Sequence, residues 1–425
     1  GRPLSRSYEN SWSVPTIAQR IRWLEQFRIS IASRADELIE LVMAEVHKPR
    51  WEAVTGDLLP LLASCRWHER KAAAILRERT VRGGARWSVG QRHTVRREPR
   101  GTVGISATWN CPVQLLGIQL VQAIMAGNRV VVKPSERAPR SQALLLEIAR
   151  SAGLDESALT ILPATGEAGR QLVCEEPVDH LVFTGSTAVG REIAAIAAQR
   201  LLPTTLELSG RDSALVLEDA DPALAAKCIW NAVCLNGGQT CMAPRRAIVQ
   251  RRVYGAFLAA LAPLSAGARP RRLIDIAAAE QCFEHVRMSI LAGGRSLTGV
   301  LEAPDGDRLT PLAIVDCPTD SALARGLHFG PALAVIAADC DEDAVRLHHD
   351  LCDEQSLATS VFSRRPARMQ ESLGRLSGVV TLNDCIIPTG DPRTGVSGRS
   401  ESGWGTSRGR EGLLAMSRAV HVSRT

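Results

Sequence analysis

Thr102-Val103-Gly104-Ile105-Ser106-Ala107-Thr108-Trp109-Asn110-Cys111-Pro112 opens as an apolar run and closes in a turn. A helix-length segment follows at 113–126. The pattern then repeats as Arg129-Val130-Val131-Val132-Lys133-Pro134-Ser135-Glu136. Further short apolar runs come at 158–162, 180–184 and 204–208, separated by helix-length stretches at 140–152, 167–174 and 188–199. Strand–helix–strand units of this length predict a parallel sheet with helices on both faces. Such sheets bind ligands beyond the carboxyl ends of their strands. Asn110, Lys133, Gly185 and Glu207 all fall at or just past those ends.

Working outward, residues 1–80 read as helices: Ile17, Ile21, Leu24, Phe27 and Ile31 recur at helical spacing, as do Leu38, Leu41, Val42 and Val46. A polar, β-prone stretch lies at 87–97. A second alternation begins near Ser213, with expected strands at 213–217, 246–250, 333–337, 358–362 and 378–383. The tail at 412–423 reads as a closing helix or strand. The fold class expected is α/β: a doubly wound parallel-sheet nucleotide-binding domain, a second α/β domain carrying Cys241, and a small β element. The boundaries expected are 1–80, 100–209 and 398–411 for the first, 210–397 for the second, and 81–99 with 412–425 for the third.

The chain's 425 residues allow two domains. Its 45% hydrophobic and 23% charged content is that of a globular protein. No stretch is apolar enough to span a membrane, and the first residues show neither a signal-peptide nor a lipidation pattern. The formal charge of +6 comes from scattered arginines without interleaved aromatics, so neither a nucleic-acid nor a membrane partner is expected. The eleven cysteines show no Cys-x-x-Cys pair and no zinc spacing, so no metal is expected and reduced thiols in the cytoplasm fit best. Only four lysines occur, which makes Lys133 at a strand end notable.

One constellation carries chemistry. Cys241 follows Asn236-Gly237-Gly238-Gln239-Thr240, whose small residues permit a tight turn that presents the sulfur at a cleft. A thiolate there can attack an aldehyde carbonyl. Glu207 ends an apolar run where a sheet meets the cleft and can take a proton as general base. The Asn110 side-chain amide can donate to an oxygen that turns negative during attack. The plainer reading of Asn110 is a cap on the helix starting at Pro112. Gly185, Ser186 and Gly190 open a helix, a natural seat for a pyrophosphate, although the Gly spacing alone is weak.

Taken in this order and at these spacings, the motifs resemble the aldehyde dehydrogenase superfamily, from about Ile21 to Val422. The resemblance implies an NAD(P)-dependent oxidation of an aldehyde to a carboxylic acid, with NAD as cofactor (NADP possible). It implies Cys241 as nucleophile, Glu207 as the base that drives thioester hydrolysis, and Asn110 as oxyanion donor. It places Trp109, Lys133, Glu136, Gly185, Ser186 and Phe329 on the cofactor. Lys133 and Glu136 would hold the adenosine ribose, and a carboxylate at Glu136 would repel a 2′-phosphate. Leu115 and Ile118 would line an apolar tunnel or simply be core. A homodimer or homotetramer is implied, paired through the β element.

The chain also departs from the family pattern. Leu327 stands where an acid would grip the nicotinamide ribose. Ser209 and Arg211 replace a glycine and a lysine. Arg393-Thr394-Gly395-Val396 replaces a Pro-Phe-Gly-Gly run, and 265–272 replaces an Asp/Pro-rich loop. Two alternatives therefore stay open: a CoA-acylating relative, and a catalytically weakened nucleotide-binding or scaffolding relative.

Overall fold

In the computed structural model, which describes residues 14–299 and 301–425, the first alternation closes into one six-stranded sheet. The start of the expected first domain, residues 1–13, lies outside the described residues. The spatial order is Gly403–Trp404, Thr204–Glu207, His180–Thr184, Thr102–Ser106, Arg129–Lys133 and Leu159–Ile161. The last five run parallel, and Gly403–Trp404 pairs antiparallel to Thr204–Glu207. Chain order runs outward from Thr102–Ser106 in one direction through Arg129–Lys133, and in the other through His180–Thr184. The strand order thus reverses between Thr102–Ser106 and His180–Thr184, where an open α/β sheet forms its binding crevice.

The helix Pro112–Met125 is buried along its whole length, as expected for a helix apolar on most faces. Its polar side chains find partners inside: Gln119 Nε2 donates to Thr184 Oγ1 at 3.0 Å and Gln122 Nε2 to the Gly409 carbonyl at 3.0 Å. The helices Ile17–Ser33, Ala35–Val46 and Leu59–Leu76 pack around it. A π-helical turn, Ala53–Leu58, lies between the last two.

The second sheet has seven strands, ordered Arg295–Ser296, Leu312–Val315, Ala332–Ala338, Arg246–Gln250, Ser213–Val216, Ala358–Phe362 and Val379–Leu382. All pair parallel except Arg295–Ser296, which lies antiparallel on the edge. The α/β reading holds. Leu312–Val315 escaped it: four residues between a proline and an aspartate are too few to show a period.

A third sheet joins Arg79–Val81, Arg92–Pro99 and Ser417–Arg424, antiparallel throughout, with Arg92 opposite Arg424 and Pro99 opposite Ser417. The tail is both a helix, Gly409–Ala415, and this strand.

Candidate active site

A cleft of about 390 Å³ opens at the reversal point of the first sheet and reaches the second. Of the nine site residues expected, seven line it: Trp109, Asn110, Gly185, Ser186, Glu207, Cys241 and Phe329. Lys133 and Glu136 do not.

Cys241 is presented by a strained turn. Asn236, Gly237 and Gly238 carry φ of 53°, 60° and 74°, a left-handed path that Asn and Gly tolerate best. A Cβ on Gly238 would come within 2.3 Å of the Gly330 carbonyl, so only glycine fits. Asn236 locks the turn: its backbone N–H donates to Glu52 Oε2 at 2.7 Å, and its Nδ2 donates to the carbonyls of Asn110 and Gln239. From below, Arg245 donates to the Gly238 and Thr240 carbonyls, both at 2.8 Å.

Cys241 Sγ lies 4.0 Å from Glu207 Oε1, the long end of an S–H···O contact. The other carboxylate oxygen, Oε2, accepts from Ser407 Oγ at 2.7 Å. Glu207 is buried, while Cys241 is half-buried. Burial, and then the facing Glu207, push the Cys241 thiol well above the ordinary thiol range.

Asn110 is buried, and its Nδ2 donates to the Gln239 carbonyl at 3.1 Å. An amide has two N–H donors, so one is left for a ligand oxygen. It does not cap the helix after it. Asp57 does, taking the Val113 and Gln114 N–H groups on Oδ1 while its Oδ2 pairs with the buried Lys48 at 2.6 Å. The capping alternative for Asn110 is thus excluded. Neither Leu115 nor Ile118 lines the cleft; both are buried, and Ile118 belongs to the core.

Across the cleft, Ser186 caps the helix Thr187–Gln199, accepting from the Val189 N–H. Trp109 and Phe329 meet edge to face, 6.0 Å between centroids, with Arg137 over the first ring and Arg245 over the second. Lys133 is buried at the next strand end and ion-paired with the half-exposed Glu136. A helix N-terminus, an aromatic pair and a Lys–Glu pair in a row along strand ends fit a dinucleotide. The poor fit is at Leu327, which lines the cleft at 42% exposure and offers no polar atom. Its neighbour His328 bonds the Ala332 carbonyl through Nε2 at 2.8 Å, and burial holds that ring well below the usual histidine range.

Sequence reading missed Ser407, Arg245, Asn236 and Glu52. Asn236 carried a signal, since Asn before Gly-Gly favours a left-handed turn. So did the charged pair Arg245-Arg246 at the head of an apolar strand. Ser407 and Glu52 carried none. Elsewhere, His348, His349 and Cys352 bring ligand atoms within 4.8 Å. Both His348 nitrogens are already bonded, to Ser213 Oγ and the Leu376 carbonyl.

The chain matches the model of the aldehyde dehydrogenase family over residues 5–422. It is 29% identical to a 4,4'-diapolycopene aldehyde oxidase of Methylomonas sp over 418 residues, covering 96% of this chain and 78% of the relative. It is 28% identical to a glutarate-semialdehyde dehydrogenase of Pseudomonas aeruginosa over 413 residues, 93% and 84% of the two chains. The fold matches a Mycobacterium tuberculosis aldehyde dehydrogenase complexed with NAD+ at a TM-score of 0.88, with 26% identity, covering 98% of this chain and 87% of that one. With that match over nearly its whole length, the chain belongs to the aldehyde dehydrogenase family and is an oxidoreductase that oxidises aldehydes with NAD(P).

Proposed function

We propose that this enzyme converts an aldehyde to a carboxylic acid through a thioester on Cys241, released by hydrolysis. The observation that supports it is the Cys241 thiol 4.0 Å from the Glu207 carboxylate, with the Asn110 amide buried beside the same turn. As Sγ bonds to the carbonyl carbon, its proton is lost to solvent. The free N–H of the Asn110 amide and the Cys241 backbone N–H hold the oxygen that becomes negative. Bound NAD(P) would supply the hydride acceptor for this oxidation. Glu207 then takes a proton from the water that attacks the thioester, and passes it to the Cys241 thiolate as that leaves. A base held beside the thiol favours water over CoA as the acceptor.

Trp109, Phe329, Gly185 and Ser186 would hold the nicotinamide and phosphate portions, and Lys133 with Glu136 the adenosine ribose. Glu136 favours NAD. In this reading residues 1–80, 100–209 and 398–411 form the dinucleotide-binding domain, and 210–397 the catalytic domain. The three-stranded sheet, whose outer strands Arg79–Val81 and Ser417–Arg424 are unpaired at their edges among the described residues, joins copies into a dimer or tetramer. None of the eleven cysteines is in a disulfide, in keeping with a cytoplasmic setting. Among the described residues no helix is long and apolar enough to cross a membrane.

The test is NADH and NADPH formation over a panel of aldehydes, with acid and acyl-CoA products assayed separately. Cys241→Ala is expected to abolish reduction and leave NAD binding intact. An active Cys241→Ala enzyme would end this reading.

A further inference from the structure

Glu207 lies on the last inner strand of the first sheet, and the closing segment of the chain wraps it. Gly403 pairs with Glu207 in register on one side, as Thr184 does on the other. Ser402 accepts the Leu208 N–H on its carbonyl and donates its hydroxyl to the Ser209 carbonyl at 2.8 Å. The backbone around the base is therefore held from both flanks. The side chain is held separately: besides the long contact from Cys241 Sγ to Oε1, Ser407 Oγ donates to Glu207 Oε2 at 2.7 Å, between two buried residues.

A free glutamate carboxylate can swing about three side-chain torsions. With Oε2 tied to Ser407, the remaining oxygen faces Cys241 Sγ. Ser407 is itself fixed, because Thr406–Ser407 pairs with Val396–Ser397 and the next residue, Arg408, is anchored by its backbone N–H to Gln122 Oε1. A hydroxyl is a neutral donor. It can hold a carboxylate in place without competing for the proton that the carboxylate must accept.

We propose that Ser407 is the positioning residue that keeps Glu207 turned toward Cys241, making the C-terminal segment 402–408 part of the hydrolytic machinery. The inference rests on the thioester reading above for its kinetic consequence, but the contact itself does not.

Ser407→Ala is expected to lower steady-state turnover by about ten- to a hundredfold, the loss of one hydrogen bond to a charged group. Its burst should stay near one NADH per site. Ser407→Thr, which keeps the hydroxyl, should recover most of the rate. In a Glu207→Ala background, Ser407→Ala should change turnover less than about twofold, because a positioning residue acts only through what it positions. A second readout needs no turnover: the pH dependence of Cys241 alkylation by iodoacetamide, followed by peptide mass. Glu207 facing the thiol raises its pKa. Releasing the carboxylate should shift the profile to lower pH in Ser407→Ala, with no further shift in the double variant. Equal losses in both backgrounds, or an unshifted alkylation profile, would overturn the proposal. A shifted profile in an enzyme that reduces no NAD(P) with any aldehyde would uphold the Ser407 contact and sink the thioester reading instead.

Discussion

The two walls of the cleft are built on opposite terms. On the Cys241 wall, Glu207, Asn110, Asn236 and Arg245 are all buried, and each is tied to backbone or side-chain partners. On the opposite wall, Leu327 stands half-exposed with no polar atom, and His328 turns to the interior. Burying polar groups is costly unless each is bonded. The first wall meets most of that cost with a network of bonds, leaving Asn236 Oδ1 and Arg245 Nε without a partner. The second makes no such investment. The difference teaches that the groups around Cys241 are held by hydrogen bonds, whereas Leu327 brings none to its side of the same cleft.

The sharpest way to break this contrast is at the base. Glu207→Gln should give one burst of NADH, near one equivalent per site, and then stall, because deacylation has lost its proton acceptor. Rapid-mixing absorbance checks it. Turnover at the wild-type level would make Glu207 structural and remove the hydrolytic step from the tight wall. Next in size is Asn110→Ala, expected to slow the burst by roughly 10²–10³-fold, the loss of one oxyanion donor. Since Asp57 caps the adjoining helix, an unchanged burst rate could not be explained by capping and would end the oxyanion role.

The loose wall is tested by adding what it lacks. Leu327→Glu should speed single-turnover reduction by about ten- to a hundredfold through hydrogen bonds to the ribose, and change NAD affinity little. No gain, or a loss, would show that another group, such as the cleft-lining Gln281 or Gln355, already does this.

The smallest effect asks whether the two sheets respond alike away from the cleft. Burial lowers the imidazole pKa of His68 to about 4 and of His180 to about 3 around the first sheet, and of His348 to about 3 in the second. A histidine with a depressed folded pKa contributes stability that is complete above the unfolded value near 6.5 and is lost as pH falls toward the folded value. Each ring should therefore cost on the order of 1–2 kcal/mol by pH 5. Scanning calorimetry should show the melting temperature of the apo-enzyme falling by several degrees from pH 7 to pH 5. A flat profile would mean these rings are not neutral and buried.

Much of this molecule was legible in the residues. Strands at 129–133, 180–184, 246–250 and 358–362 lie where the apolar runs place them, because a strand's boundaries follow from local periodicity and flanking turn residues. The cluster of Asn110, Gly185 and Glu207 was legible for a related reason: in a parallel sheet, residues just past successive strands must share one edge. The tail was ambiguous because its residues suit a helix turn and a strand about equally, and pairing with Arg92–Pro99 settles it.

What the sequence by itself determined is the inventory and its spacing: an α/β chain, a thiol in a glycine turn, a carboxylate and an amide at strand ends. Only the tertiary structure decided how those groups are held. Ser407 reaches Glu207 across 200 residues and Glu52 reaches Asn236 across 184. Asp57, 56 residues upstream, takes the cap that Asn110 could have supplied. Periodicity reports what a residue meets within a turn or a strand. A hydrogen bond between distant segments depends on the packing of whole layers, and no local pattern encodes it.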